Sequence, residues 1–212
     1  MAFWDDSQIE PKRKFKFLMS IDGRSGGADG VELKIPEYVV KKATKPSFSV
    51  TEAKHQFLGH SFFFPGKLEW KEVDVTVVDA GGYKEQDLGL AAGTEFDTLL
   101  QQDTTKTIMQ LLNEMGYQHP TQTASAVTSG GQPRTFSKWG GTNSLGTVTF
   151  KALDSNGEIV ESWVLKNAWI KDVNFGDGDY SSDDVVDITL KLRYDWAEYT
   201  SAGAVSPQYP KG

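Results

Sequence analysis

The sequence predicts a mainly β protein with one packed helix, its strands gathered into two crossing antiparallel sheets in a barrel-like arrangement. Three observations carry this. Apolar side chains alternate with period two near both ends of the 212-residue chain. The alternation changes phase within Lys67–Asp79, which marks a strand bending from one sheet into another. A single stretch has helical spacing, with Ile108, Leu111, Leu112 and Met115 at i, i+3, i+4 and i+7.

The composition agrees with a folded, sheet-rich chain: aromatic residues make up 12% and there are 21 glycines. The length fits one domain over 1–212, and it is enough to bury a substantial core. With no cysteine, disulfides and thiolate metal centres are excluded. The formal charge is -7, and Lys12-Arg13-Lys14-Phe15-Lys16 is the one short basic run, which argues against a nucleic-acid groove. The opening MAFWDDSQIEPKRKFKF carries charge where a signal peptide needs apolar residues, and no window approaches the about 20 apolar residues of a membrane span. The expectation is a soluble protein made in a cytoplasm.

Taken in order, Phe15, Phe17, Met19 and Ile21 place a strand at 14–22 with one buried row. The glycine-rich stretch 23–30 has neither the spacing nor the following helix of a phosphate loop, and reads as a hairpin connection to a strand ending at Pro36. Tyr38 to Ala43 and Ser47 to Thr51 are short strands broken at Lys45-Pro46. Residues 54–66 read as a long loop in which Phe62, Phe63 and Phe64 cannot all face one core. That loop either folds back over its own domain or meets a partner. His55 and His60 lie in it without a sensibly spaced third ligand.

The strand at 67–79 bends near Lys71-Glu72. The helix follows, with Asp103 or Thr104 as cap and Gly116 as stop, and 94–101 as an earlier turn or part of the same element. Residues 117–144, rich in Gly, Ser and Thr, read as a mobile insertion. A hairpin is expected from 147–154 and 158–166 around Asp154-Ser155-Asn156-Gly157. Trp169, Ile170 and Val173 lead to an aspartate-dense loop. Beyond it Val186, Ile188, Leu190, Leu192, Tyr194 and Trp196 alternate with Asp187, Thr189, Lys191, Arg193 and Asp195, giving one core face and one charged face. A flexible tail is expected over 197–212.

An EF-hand needs glycine at loop position 6 and glutamate at 12, where this chain has Ser182 and Ile188. A looser calcium site would use Asp177, Asp179 and Asp183, with Asp184 beside them, but aspartate and serine are also what turns prefer. The histidines at 55, 60 and 119 belong to no catalytic motif, and no nucleophile or cofactor motif is present. Neither an enzyme nor a cofactor is expected.

The run GTVTFKALDSNGEIVESWVLKNAWIKDVNFGDGDYSSDDVVDITLKLRYDW resembles the C-terminal half of the tail tube proteins of contractile-tailed bacteriophages, a family shared with type VI secretion and related injection-system tubes. The resemblance lies in a hairpin, the Trp169-Ile170 pair, an acidic loop and a final alternating strand ending at Tyr194 and Trp196. It implies a virion structural protein: six subunits per ring, rings stacked into a hollow tube with a continuous inner β-barrel, and a contractile sheath outside. Implied partners are sheath, baseplate and tail terminator proteins. DNA would pass through the lumen without specific binding, and the tube would be assembled in the bacterial host cytoplasm. On this reading Phe57, Phe62, Phe63 and Phe64, with Phe3 and Trp4 of the N-terminal arm, are candidates for contact between rings. Asp187, Thr189, Lys191, Arg193 and Asp195 form an exposed face lining the lumen or facing the sheath. An effector-delivery tube and a stand-alone calcium- or ligand-binding β domain are the other readings.

Overall fold

Alternation does become sheet. The computed structural model describes residues 12–25, 32–81, 103–117 and 135–201. In chain order the strands are β1 (Phe17–Ser25), β2 (Glu32–Ile35), β3 (Val40–Ala43), β4 (Phe48–Phe57), β5 (His60–Trp70) and β6 (Val73–Val78), with a 3-10 turn at Glu37–Val39. Two helices follow, α1 (Thr104–Met115) and α2 (Lys138–Leu145). The chain then forms β7 (Thr147–Leu153), β8 (Ile159–Lys166), β9 (Trp169–Asn174), β10 (Asp187–Arg193) and β11 (Trp196–Ser201).

Pairing is antiparallel throughout these strands and makes three sheets. One is five-stranded in the order β11-β8-β7-β1-β2, one four-stranded in the order β3-β6-β10-β9, and one a two-stranded ribbon of β4 and β5. The first two share one core. Met19, Ile21, Val148, Phe150 and Leu165 reach it from the five-stranded sheet, and Val73, Val75, Val77, Ile188, Leu190 and Leu192 from the four-stranded sheet. Each such aliphatic side chain contributes about 1.5–3 kcal/mol by leaving water. The alternation fails at strand ends: Phe15, Val186 and Trp196, each expected inside, are exposed. They lie outside β1 and β10, where no facing sheet covers them.

α1 closes one side of the core with Ile108, Leu111 and Met115. Asp103 caps it by accepting the Lys106 N–H at 3.1 Å, and Gly116 ends it in the left-handed conformation. A second helix was not expected. α2 lies inside the stretch read as an insertion, where glycine and serine looked like loop composition. Ser137 caps it through the Gly140 N–H at 3.0 Å. Its glycines serve close approach: a Cβ on Gly140 would sit 2.9 Å from the Met115 carbonyl oxygen, and one on Gly141 3.0 Å from the Trp169 Cβ. Small residues thus let α2 wedge between α1 and β9, and Leu145 is fully buried.

Two further expectations are corrected. The last alternating strand stops at Arg193, and the chain turns through Tyr194 and Asp195 into β11, which pairs with β8 in the other sheet. Residues 197–201 are therefore sheet and not tail. The 147–166 hairpin forms as expected. In its turn the Asp154 carboxylate accepts the N–H groups of Asn156 and Glu158, both at 2.8 Å, while Gly157 takes φ 83°. Phe3, Trp4 and residues 94–101 lie outside the described residues.

Candidate assembly surfaces

The expected loop at 54–66 is instead the outer part of a β-ribbon. β4 and β5 pair from Phe48↔Trp70 to Phe57↔His60 and turn through Leu58 and Gly59, at φ 47° and 79°. Two consecutive positive φ angles make the tight turn that matches strand twist. Leucine seldom occupies such a position, so the tip gave no turn signal in the sequence. Ten residues of strand reach roughly 30 Å.

Every residue of β4 and all of β5 except Trp70 are exposed. Phe57, Phe62, Phe63 and Phe64 are 50–61% exposed and Leu58 is 83% exposed. The structure therefore rejects a loop folded back over its own core, and it places four sequence-expected phenylalanines together on a projecting arm. A contiguous apolar surface of this kind is unusual on a free monomer.

The ribbon's foot is fixed. Phe48 packs edge-on against Trp70 with ring centroids 5.3 Å apart, and Trp70 lies 5.8 Å from the buried Tyr194. Burial pushes the Tyr194 phenol above its ordinary range. The Lys71 N–H donates to the Ser47 carbonyl at 2.8 Å, closing the base. Gly66 provides the bulge that lets Val50 face Leu68, since a Cβ there would meet the Thr51 Oγ1 at 2.4 Å. Just before the ribbon, Lys45 donates to Glu161 of β8 at 2.9 Å.

Glu161 is the most strongly held carboxylate among the described residues. Burial pushes its pKa up, but hydrogen bonds from Lys12, from the Trp163 indole N–H at 2.5 Å and from Lys45 outweigh this and hold it at about 2. It joins the segment before β1, the approach to β4 and the five-stranded sheet. No sequence motif marks it, because Lys12 and Lys45 come from two distant segments and only Trp163 lies nearby, two residues along β8.

The second surface is the outward face of the four-stranded sheet. Asp187, Thr189, Lys191 and Arg193 alternate with the buried Ile188, Leu190 and Leu192, as the sequence predicted, but are half-buried, and the three charged residues are ion-paired. Lys41 holds Asp187 at 2.6 Å, Lys191 meets Asp172 at 3.2 Å, and Arg193 reaches Glu69 at 3.2 Å and Glu72 at 3.7 Å. Lys171 also bonds Glu72, whose carboxyl is held below the usual range by that hydrogen bond. Asp195 does not belong to this row. It sits in the turn after β10, where Lys138 at 2.7 Å and Asn167 at 2.7 Å hold its carboxyl below the usual carboxylate range. Beside the ribbon's foot a cleft of about 750 Å³ opens among Trp70, Phe136, Trp169 and Tyr194.

The aspartate loop is built from local turns. Asp179 accepts the Ser181 N–H at 2.9 Å and its hydroxyl at 2.7 Å, which hold its carboxyl below the usual range, and Asp184 accepts the Ser182 hydroxyl at 3.0 Å. Asp177 and Asp183 are exposed in the same loop. Among the described residues, no three His, Cys, Asp or Glu side chains gather where they could share an ion. No described helix is long and apolar enough to cross a membrane.

No protein-family model matches the sequence, and no curated protein matches it. Solved structures do. A chain of the anti-feeding prophage baseplate aligns over 92% of this chain and 99% of its own, at 12% identity and a TM-score of 0.53. A chain of the sheath/tube terminator of the extracellular contractile injection system PVC aligns over 91% and 99%, at 13% identity and 0.53. A chain of the anti-feeding prophage tube-terminating cap aligns over 95% and 99%, at 12% identity and 0.50. Identity this low speaks to fold alone: the chain has the mainly β fold, with two helices and several antiparallel sheets among the described residues, found in these contractile-injection-system particles.

Proposed function

We propose that this chain is a structural subunit of a contractile-system tube, one domain per subunit, in which six copies form a ring and rings stack into a hollow tube. The observation that carries this is the β4–β5 ribbon, a projecting arm whose apolar side chains find no cover among the described residues of their own chain. Open sheet edges support it. β3 and β9 end the four-stranded sheet, and an unpaired strand edge is a template for a neighbouring chain. Six such sheets joined edge to edge would give a closed barrel, which removes edges altogether. The paired face of Asp187, Thr189, Lys191 and Arg193 would then line the lumen. Its carboxylates are matched by cations, so the wall would be polar without a strong field of either sign.

The tail of a phage, with DNA passing through the tube, is the first reading. The anti-feeding prophage and PVC likenesses favour a second, the inner tube of an injection system acting as an extracellular particle. In either, sheath, baseplate and terminator proteins are the partners, and Phe3 and Trp4 would add to contact between rings.

Replacing Phe62, Phe63 and Phe64 together with serine tests the reading. The expected product is a folded monomer that forms no tubes in negative-stain electron microscopy, where the parent chain forms them. Unchanged tubes would falsify the role given to the ribbon. Capsid and packaging genes beside the coding sequence would mark the phage reading, and effector genes the other.

A further inference from the structure

The register of β4 on β5 sorts the ribbon's side chains into two unlike faces. Residues directly opposite in an antiparallel pair share a face, and neighbours along a strand alternate. Ala53 lies opposite Phe64, His55 opposite Phe62, and Phe57 opposite His60. These six share one face of the outer ribbon. Glu52, Lys54 and Gln56, opposite Pro65, Phe63 and Ser61, share the other. The first face holds three phenylalanines, an alanine and two histidines on a diagonal, with no permanent charge among them. The second holds a carboxylate and an ammonium group. β4 and β5 make their extensive contacts with each other alone, and the outer ribbon is exposed along its whole length. Among the described residues, the charged side chains of the outer ribbon are Glu52 and Lys54, both on the opposite face.

We infer that the ribbon docks on a second copy of this chain through the His55–Phe62 face alone, and that docking takes up both histidines as neutral imidazoles, so that protons oppose assembly. The inference rests on the tube reading. A second copy is the occupant because the open edges of β3 and β9 call for further copies, and Phe57, Phe62 and Phe64 expose about 350 Å² on this one face, close to half of the about 800 Å² per partner of a stable interface. Copies joined at the open edges of β3 and β9 would also bring such ribbons beside neighbouring bodies. Burying a charged imidazole among phenylalanines is costly, whereas a neutral one is tolerated. Histidine changes charge between about pH 5 and 8. With two protons to expel, the apparent dissociation constant of the contact rises by up to about 100-fold for each pH unit below the histidine range. The other face keeps its charges across that range and is unsuited to dry contact.

The test uses the full chain with EDTA throughout, assayed by pelleting and negative-stain microscopy between about pH 7.5 and about pH 5.5, with circular dichroism to confirm folding. The Glu161 anchor keeps its charge over that interval, since its pKa is about 2. Expected results are tubes at the upper pH, a critical concentration at least about tenfold higher at the lower pH, and recovery on return. The double variant His55→Gln, His60→Gln should assemble equally at both. Phe63→Ser should assemble, while Phe62→Ser should not. The inference is overturned by parent tubes indifferent to pH, by a double variant that keeps the parent profile, or by equal sensitivity at Phe62 and Phe63. Absence of any polymer from folded parent chain at the upper pH overturns the tube reading itself.

Discussion

β5 and β6 are consecutive strands separated by Lys71 and Glu72 alone, yet they meet opposite environments. β6 buries Val73, Val75 and Val77 completely or nearly so and turns Asp74 outward. β5 carries Phe62, Phe63 and Phe64 in a row, all exposed. The difference teaches that apolar content and apolar pattern say separate things. Strict alternation records a surface covered within the chain. An unbroken apolar run in a strand that covers nothing records a surface to be covered from outside.

The largest effect that would sharpen this contrast comes from the β6 side. Leu190→Ala, directly opposite Val75 in the same sheet, should cost about 2–5 kcal/mol in urea or thermal unfolding, because it opens a cavity in a closed core. A loss below about 0.5 kcal/mol would show that the four-stranded sheet is not packed as described.

Next is the joint between the two regions. The Glu161 pKa is held at about 2 against an ordinary value of 4.5. A depressed carboxylate stabilises the fold fully above its unfolded value, and that contribution is lost as pH falls from about 4.5 through about 2. The expected loss is roughly 2–3 kcal/mol between those limits. In Glu161→Gln the acid-dependent part should shrink by that amount. An unchanged acid unfolding curve would break the assignment of Glu161 as anchor.

The smallest effect belongs to the ribbon. Phe63→Ala should shift monomer melting by no more than the equivalent of about 0.5 kcal/mol, despite removing a phenyl ring. A core-sized loss there would mean that the ribbon folds onto its own body in solution.

Much of the sheet was legible in the sequence. Ile188, Leu190 and Leu192 announced β10 by alternation, the phase change at Lys71-Glu72 announced the passage from ribbon to sheet, and Asp103 and Gly116 announced both ends of α1. α2 was not legible, because its glycines are selected for close contact with Met115 and Trp169 and imitate loop composition. The ribbon was half legible. Its phenylalanines stood out, but the Leu58-Gly59 turn lacks the asparagine or aspartate that usually marks a hairpin. Val186 and Trp196 continued the alternation past the point where a facing sheet exists, so period alone could not end β10. Glu161 was invisible, because Lys12, Lys45 and Trp163 meet it only after folding.

That meeting at Glu161 has a mechanical side. An arm of roughly 30 Å is a lever, and a tilt of about 10° at its base would carry the Leu58-Gly59 tip through about 5 Å, a full strand spacing. Lys45 stands three residues before β4, so the bond to Glu161 governs that tilt. In stacked copies an angular error would repeat at every layer. The pitch of such a stack would then be set by one carboxylate in the body of the subunit, well away from the surfaces that touch.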